Sequence, residues 1–324
     1  MAVAPNLPGR LVVAPPVAAA LAAGGPVVAL ESTLISHGLP YPQNLQVASD
    51  SEAAVRAAGA VPATVALHEG RILVGLDGAA LEALAIAPAG SVRKAARPSL
   101  AISLAAGGWA ATTVSATMIA AHAAGIRVFA TGGIGGVHRG ALAGSRSAAG
   151  PGTPRPTLDI SSDLEELART PIAVVCAGPK AILDVPATLE YLETRGVPVV
   201  TIGQAELPGF FASSAGIRAP GSVPDVAAAA DLVRIHLALE LGSGILVCVP
   251  VPAADALPDV LARDAVEQAV QDADAAGVGG PALTPWLLSR IASLTHGASV
   301  HANTSLIVND ARVAGELAVS LGSA

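Results

Sequence analysis

The chain has 324 residues and a formal net charge of −7, and 52% of its residues are apolar although only 2% are aromatic. Alanine and valine must therefore fill the core, so we expect its secondary-structure elements to pack closely. The negative charge and the lack of basic clusters argue against nucleic acid as a main partner. No apolar stretch has the uninterrupted length of a transmembrane helix, which argues against a membrane protein.

Short apolar runs alternate with segments of helical periodicity along the chain. The predicted strands are residues 26–30, 127–131, 172–178, 197–202 and 244–249, with a hairpin over 64–76 that turns at Glu69-Gly70. The predicted helices are 46–58, 113–124, one opening at Ser162, 181–195, 262–276, 284–294 and 305–321. This alternation predicts an α/β fold with a mostly parallel central sheet and helices on both faces. Residues 141–156 are rich in Gly, Ala, Ser and Pro, which predicts a flexible surface insertion.

Two features bear on the cellular compartment. Cys176 and Cys248 lie in apolar strand-like runs, which predicts buried free thiols and a reducing, cytoplasmic compartment. Residues 11–30 are apolar and follow a basic residue, so a signal peptide is an alternative for them. Prolines and glycines break this segment, and it runs directly into the strand that ends before Glu31. We therefore interpret it as part of the fold.

Lysine is rare in this chain. Only Lys94 and Lys180 are lysines among the eighteen basic residues, and the others are arginines. An amine can lose its proton and attack a carbonyl, whereas a guanidinium stays charged, so the two lysines mark positions that need an amine. Lys180 follows the predicted strand 172–178, at the edge where ligands collect in parallel sheets. We interpret it as a covalent nucleophile. The alternatives are chance survival and a solvent-facing position at a helix N-terminus, where a cation is unfavourable.

Polar residues follow other strand ends. Glu31 is predicted to be a general acid or base, or else a turn carboxylate that accepts hydrogen bonds from neighbouring hydroxyls. The string Thr131-Gly-Gly-Ile-Gly-Gly-Val-His-Arg139 follows a second strand. Its glycines would present backbone N–H groups to a phosphate, with charge added by His138 and Arg139, or would form a tight strand–helix turn.

The string Asp159-Ile-Ser-Ser-Asp163 offers oxygen ligands of the kind that magnesium and manganese prefer, and the seven histidines do not cluster as zinc ligands. A capping box that opens at Ser162 already explains Ser162 and Asp163, so Asp159 is the better metal candidate. Asn303 precedes the last predicted helix, and it either caps that helix or reaches a ligand.

Taken together, these strings resemble the pseudouridine-5′-phosphate glycosidase family over nearly the whole chain. The matching segments are 27–44 (VVALESTLISHGLPYPQN), 111–114 (ATTV), 125–141 (GIRVFATGGIGGVHRGA), 159–164 (DISSDL), 174–184 (VVCAGPKAILD), 189–194 (LEYLET), Thr284-Pro285, and Asn303 with Asn309. The strings GGIGGVHR and EST are long enough together to be specific.

The resemblance implies one α/β domain over residues 1–324, a divalent metal such as manganese, and a homotrimer. It implies reversible cleavage of the carbon–carbon bond between uracil and ribose 5-phosphate. Glu31 matches the proton donor that opens the sugar ring, Lys180 the nucleophile that forms an imine-type adduct, and Asp159 the metal ligand. The positions that match substrate contacts are Lys94, Val114, Ser161, Ser162 and Asp163, and Thr131, His138 and Asn303 align with further pocket residues.

This chemistry is physically consistent, because a C-glycosidic bond has no leaving oxygen for a paired carboxylate to protonate. An iminium at the sugar supplies the missing electron sink. The chain departs from the family pattern at residues 95–100, Trp109-Ala110, Pro179 and Pro281. These departures leave open a second hypothesis, a C-glycoside synthase that joins ribose 5-phosphate to another heterocyclic or aromatic acceptor. A third is a sugar-phosphate-binding protein without catalysis, although binding alone needs no amine nucleophile.

Overall fold

The computed structural model describes residues 9–142, 156–279 and 282–322. Eleven strands in these ranges form one sheet. They are β1 (Leu11–Val13), β2 (Val27–Leu30), β3 (Val61–His68), β4 (Arg71–Val74), β5 (Arg93–Ala95), β6 (Ala110–Thr112), β7 (Val128–Ala130), β8 (Ala173–Cys176), β9 (Val199–Ile202), β10 (Gly221–Val223) and β11 (Ile245–Cys248). Their order is β1-β4-β3-β2-β7-β8-β11-β9-β10, and β6 pairs with β3 and β5 beside this path. The insertion predicted at 141–156 lies almost wholly outside the described residues.

The sheet is mostly parallel, as the sequence predicts. Strand β3 is antiparallel to β4 and β6, and the other pairs run parallel. Strands β8 and β11 are buried along their whole length, which explains their continuous apolar sequence. Glu69 and Gly70 join β3 to β4 with φ angles of 50° and 70°. Two left-handed residues suit a two-residue hairpin turn, and the predicted hairpin is confirmed.

Helices cover both faces of the sheet. They are α1 (Pro15–Ala22), α2 (Gln43–Ala57), α3 (Gly78–Ala85), α4 (Leu100–Ala106), α5 (Val114–Ala123), α6 (Ser162–Leu167), α7 (Val185–Thr194), α8 (Val226–Ala238), α9 (Asp259–Ala275), α10 (Leu283–Leu294) and α11 (Ala298–Gly322). Alternate residues of β8 point to opposite faces: Val174 packs with α5, α6 and α7, and Val175 packs with α2, α8 and α11. The predicted fold class is therefore confirmed. Among the helices of the described ranges, none combines the length and apolar character needed to cross a membrane.

Two helices near the predicted site begin elsewhere than expected. Helix α7 begins at Val185, not at residue 181, because the Asp184 side chain accepts a hydrogen bond from Ala187 N at 3.0 Å and caps it there. Lys180 therefore lies in the turn before the cap, and the helix dipole has no bearing on it. Helix α11 begins at Ala298, so Asn303 lies inside the helix and does not cap it.

The capping box predicted to open at Ser162 is also wrong. Ser161 is the N-cap of α6, and its hydroxyl accepts a hydrogen bond from Asp163 N at 3.2 Å. In a capping box the Glu165 carboxylate would accept a hydrogen bond from the backbone N–H at the helix start. It accepts one from the Tyr191 hydroxyl at 2.6 Å instead. Asp163 is thereby left without the structural role that the sequence assigned to it.

Residues 11–30 contribute β1, α1 and β2. Strand β1 pairs with β4, while β2 pairs with β3 and β7. The segment considered as a signal peptide therefore supplies strands to the sheet. Cys176 and Cys248 are neighbours across β8 and β11, and both are buried free thiols, as predicted.

Asp310 is a buried carboxyl that the sequence did not single out. It lies on α11 with no solvent exposure, and neither side-chain oxygen has a hydrogen-bond partner among the described residues. The nearby amide of Ala177 donates to the Gly132 carbonyl at 3.2 Å instead. Burial, together with the neighbouring Cys176, raises the pKa of Asp310 well above its ordinary value. Burial therefore favours the neutral form of this carboxyl in the folded protein.

Relative to the wild type, Asp310→Asn is expected to be more stable at pH 7 than at pH 4. The unfolded chain releases the Asp310 proton near the ordinary pKa, whereas the folded chain keeps it to higher pH. Between the pKa of the unfolded chain and that of the folded chain, each pH unit lowers the stability of the wild type by up to about 1.4 kcal/mol, and asparagine removes this loss. Urea unfolding of both proteins at pH 4 and pH 7 measures the difference. An equal difference at both pH values would contradict the neutral-acid assignment.

Candidate active site

The candidate active site is a cavity of about 160 Å³ at the carboxyl ends of the parallel strands. Segments that are distant in sequence meet there because these strand ends share one edge of the sheet. Eight predicted site residues line it: Glu31, Lys94, Val114, His138, Ser161, Ser162, Asp163 and Lys180. Two ammonium groups and two carboxyl groups therefore share one small cavity.

Glu31 follows β2 and is only partly exposed. The Thr131 hydroxyl, at the end of β7, donates a hydrogen bond to Glu31 Oε1. Burial raises the pKa of Glu31, although the Lys180 ammonium and the Thr131 hydrogen bond oppose this effect. Ser32 and Thr33 donate their hydroxyl hydrogen bonds to backbone carbonyls of β3 and β6. The alternative of a turn carboxylate bonded by Ser32 or Thr33 is thus wrong, and the one side-chain hydrogen bond to Glu31 comes from Thr131 among the residues that the structure describes.

Lys180 is held by its backbone against the glycine-rich loop. Its N–H donates to the Ile134 carbonyl at 3.1 Å, and Pro179 forms a parallel bridge with Ile134. The half-buried side chain lines the cavity together with Glu31. An amine and a carboxyl with a raised pKa face the same space, and this arrangement suits covalent attack assisted by proton transfer.

Lys94, on β5, lies at the open rim of the same cavity. Burial of its amine lowers the pKa of Lys94, and the like charge of Lys180 lowers it further, while Glu31 and Asp163 oppose both effects. The two lysines are therefore close enough to influence one another. Substitution of each lysine in turn distinguishes their roles.

The glycine-rich loop after β7 uses several of its backbone amides within the protein. Four of its amides donate within the protein: Ile134 to Gly178, Gly135 to Asp163, Val137 to Thr188, and His138 to Asp159. These N–H groups are therefore not available to an anion. The loop also does not turn into a helix. It forms isolated bridges to Ile160 and Leu183 instead, which tie the site together.

Asp163 holds two parts of the cavity wall together. Its carboxylate accepts hydrogen bonds at 3.0 Å from Ser115 N, on α5, and from Gly135 N. A Cβ at Gly135 would overlap the Ser161 hydroxyl, so only glycine allows this close approach. The carboxylate is buried, and it lines the cavity as part of a rigid wall.

Asp159, the predicted metal ligand, lies beside the cavity next to His138. Its carboxylate oxygen is 4.0 Å from His138 Nδ1, and its side chain is 51% exposed. Within the described ranges, no three His, Cys, Asp or Glu side chains are arranged to hold an ion. A single exposed carboxylate beside the cavity can supply one ligand to an ion that keeps most of its water, as magnesium often does.

Thr131 and Asn303 do not line the cavity. Thr131 contacts Glu31, whereas Asn303 lies on α11 and is partly buried. Sequence reasoning assigned no role to several residues that do line it: Thr33, Ala96, Thr113, Ile182, Leu183 and Thr284. Most of them fall within the segments that resemble the family, so that resemblance was the signal that could have identified them. Of the departures from the family pattern, Trp109 stacks on His68 with ring centroids 4.0 Å apart, and Ala96 lines the cavity.

Comparison with known proteins identifies the family. A family model described as indigoidine synthase A like protein matches residues 16–320. The chain belongs to this family. It is 50% identical over 317 residues to a Paracoccus denitrificans protein named pseudouridine-5′-phosphate glycosidase, a match that covers 98% of this chain and 100% of the relative. A Methylobacterium nodulans protein of the same name is 52% identical, and the match covers 96% and 88%. The resemblance that the sequence strings indicate is confirmed.

Solved structures of similar proteins have the same fold. Prealnumycin C-glycosynthase AlnA, in complex with ribulose 5-phosphate, superposes with a TM-score of 0.85 at 37% identity over 97% of this chain and 98% of the other. An indigoidine synthase A-like protein from Thermotoga maritima superposes with a TM-score of 0.79 at 31% identity over 92% and 94%.

Proposed function

We propose that the protein reversibly cleaves the carbon–carbon glycosidic bond of pseudouridine 5′-phosphate to give uracil and ribose 5-phosphate. The observation that carries this proposal is the shared cavity of Lys180 and Glu31, in which burial raises the pKa of Glu31. An amine nucleophile beside a protonated carboxyl is what a C-glycosidic bond requires. The relatives at about 50% identity carry the name of this activity.

The first step opens the sugar ring. Protonated Glu31 gives its proton to the ring oxygen as the bond between that oxygen and the first sugar carbon breaks. The Lys180 amine forms a carbon–nitrogen bond at the same carbon and loses one proton to water in the cavity. This carbon then carries both the Lys180 nitrogen and uracil, so an iminium can form there as the bond to uracil breaks.

The second step breaks the carbon–carbon bond. Uracil leaves with the electron pair and takes up one proton at the freed carbon, and the sugar stays on Lys180 as an imine. Water then adds to the imine carbon and releases ribose 5-phosphate, which returns the amine to Lys180. The sum is pseudouridine 5′-phosphate plus water giving uracil plus ribose 5-phosphate, so the covalent steps balance.

The phosphate end needs positive charge and hydroxyl donors. Lys94 supplies the positive charge, and the His138 ring and the hydroxyls of Ser161, Ser162 and Thr284 line the cavity as hydrogen-bonding groups. Asp159 would hold a hydrated manganese or similar divalent ion beside His138. When bound there, the ion supplies further positive charge for the sugar phosphate.

A second candidate is synthesis of a C-glycoside from ribose 5-phosphate and another heterocyclic or aromatic acceptor. The similarity to prealnumycin C-glycosynthase at a TM-score of 0.85 favours it. The same Lys180 adduct would serve both reactions, because they differ only in the nucleophilic carbon that joins the sugar. We propose further that the protein works in the cytoplasm. We also propose that it forms a homotrimer, and light scattering in solution tests this oligomeric state.

Borohydride trapping is expected to give a covalent sugar-phosphate adduct on Lys180, and ultraviolet absorbance is expected to show release of uracil. The protein is incubated with manganese and pseudouridine 5′-phosphate, or with ribose 5-phosphate and uracil, and the trapped peptide is identified by mass spectrometry. An adduct without turnover of uracil would favour the second candidate. Absence of any adduct would overturn both candidates and favour a protein that only binds sugar phosphates.

A further inference from the structure

Glu31 lines two cavities. One is the candidate active site, which we call the front cavity, and the other is a space of about 10 Å³, which we call the rear space. Four polar residues line this space, Glu31, Ser51, Thr64 and Thr131, and the rest of its lining is apolar. One water molecule needs about this volume and two to four polar partners. The space therefore has the size and the lining of a single-water site.

The polar chain continues beyond this space to Glu52 on α2. The Thr64 hydroxyl, on β3, donates a hydrogen bond to Glu52 Oε1 at 2.6 Å. The other oxygen of Glu52 accepts from Arg56 at 2.7 Å. Glu52 is 7% exposed, whereas the Arg56 side chain is 59% exposed. A buried carboxylate thus links a hydroxyl at the rear of Glu31 to the protein surface.

We infer that Glu31 exchanges its proton with solvent through this rear path, by way of one buried water, the Thr64 hydroxyl and Glu52. The inference rests on the proposed function, in which Glu31 gives up a proton while the sugar phosphate fills the front cavity. A proton from solvent enters at Glu52. Thr64 accepts it from Glu52 and passes its own proton to the water, and the water passes one to Glu31. Each link gains and loses one proton.

The resting hydrogen bonds favour one direction. Thr64 donates to Glu52, so its lone pairs are free to accept from a water between it and Glu31. The Ser51 hydroxyl donates to the Val47 carbonyl at 2.8 Å and likewise offers lone pairs to the space. A proton can therefore leave Glu31 without any rearrangement, whereas its return requires the Thr64 hydroxyl to rotate. Thr64 and Glu52 act through Glu31 and do not touch the substrate.

Thr64→Val is expected to preserve a first burst of uracil and to slow the following steady state. The resident proton on Glu31 serves the first turnover, but its replacement is blocked, so kcat falls about 10- to 100-fold. KM changes by less than about twofold, because the front cavity is untouched. Glu52→Gln gives the same pattern. Thr64→Ser restores most of the lost rate, since its hydroxyl keeps the connection.

Thr201→Val is the matched control. Thr201 is a fully buried threonine on β9 whose hydroxyl donates to the Gln204 carbonyl, outside both cavities. Its loss is expected to lower stability without separating the burst from the steady state. Equal effects of Thr64→Val and Thr201→Val on the ratio of burst to steady state would overturn the inference.

A crystal structure of the wild-type protein tests the water site independently of the reaction. We expect an ordered water within hydrogen-bond distance of Thr64 Oγ1 and the Glu31 carboxyl. A dry space, or one closed by Ile307, would overturn the path even if the enzyme is active. If wild type releases no uracil, the proposed function fails, and this water alone decides whether the polar connection exists.

Discussion

Lys180→Arg is expected to lower kcat for uracil release by roughly 10⁴- to 10⁶-fold, the loss seen when a covalent nucleophile is removed. Arginine keeps the positive charge and most of the length, so the attraction for the phosphate and the packing around the turn should persist. It stays protonated and has no lone pair to attack the sugar carbon. Uracil release and borohydride trapping of the variant measure the loss of rate and of adduct together.

Lys94→Arg is the matched control, because Lys94 is the other lysine of the cavity. A role in charge alone predicts a fall of about tenfold or less, since arginine also binds phosphate. Burial and the neighbouring Lys180 lower the pKa of Lys94, so Lys94 is the other candidate for the nucleophile, and this pair of variants distinguishes the two lysines. If Lys94→Arg abolished the adduct and Lys180→Arg did not, the assigned roles would be reversed.

The strands that form the site could be predicted because they are buried on both faces. Strand β8 is a continuous apolar run that ends before Lys180, and a short run of this kind is typical of a buried strand in a parallel sheet. Helix α8 was missed, since four consecutive alanines give it little periodicity. The start of α7 was misplaced by four residues because the apolar run from Ala181 was taken as helical, whereas the Asp184 cap sets the start of the helix.

The site residues were predicted as strings, but their contacts were not. Asp163 looked like a helix-capping residue, yet it binds the amides of Ser115 and Gly135 across the cavity. Those partners are 48 and 28 residues away in sequence, so local spacing carries no information about them. Glu52 was predicted only as part of a helix, and it is the pairing of β3 with β2 that brings Thr64 near Glu31. Long-range pairing therefore determines which polar groups belong to the site.

Glu31→Gln is expected to lower kcat by about 10²- to 10⁴-fold, because the amide has no proton to give to the ring oxygen. Lys180 remains, so the variant should still be trapped by borohydride with ribose 5-phosphate, whose open-chain form presents an aldehyde. Loss of uracil release with retention of this adduct would separate the proton donor from the nucleophile. Loss of both would show that Glu31 also holds Lys180 in place.

The pH dependence follows from the same carboxyl. Burial raises the pKa of Glu31, so the protonated, active form persists above the ordinary range and kcat falls as pH rises through the raised value. Thr131→Val removes a hydrogen bond that lowers this pKa, which should move the alkaline fall in kcat to higher pH. A shift to lower pH would contradict the assignment of that fall to Glu31.

The stability of the fold depends on pH through the same carboxyl. The folded state keeps the Glu31 proton to a higher pH than the unfolded chain does, so the wild type loses stability as pH rises from the ordinary pKa to the raised one. Glu31→Gln should remove that loss, and an enzyme less active but more stable at neutral pH is what a buried proton donor predicts.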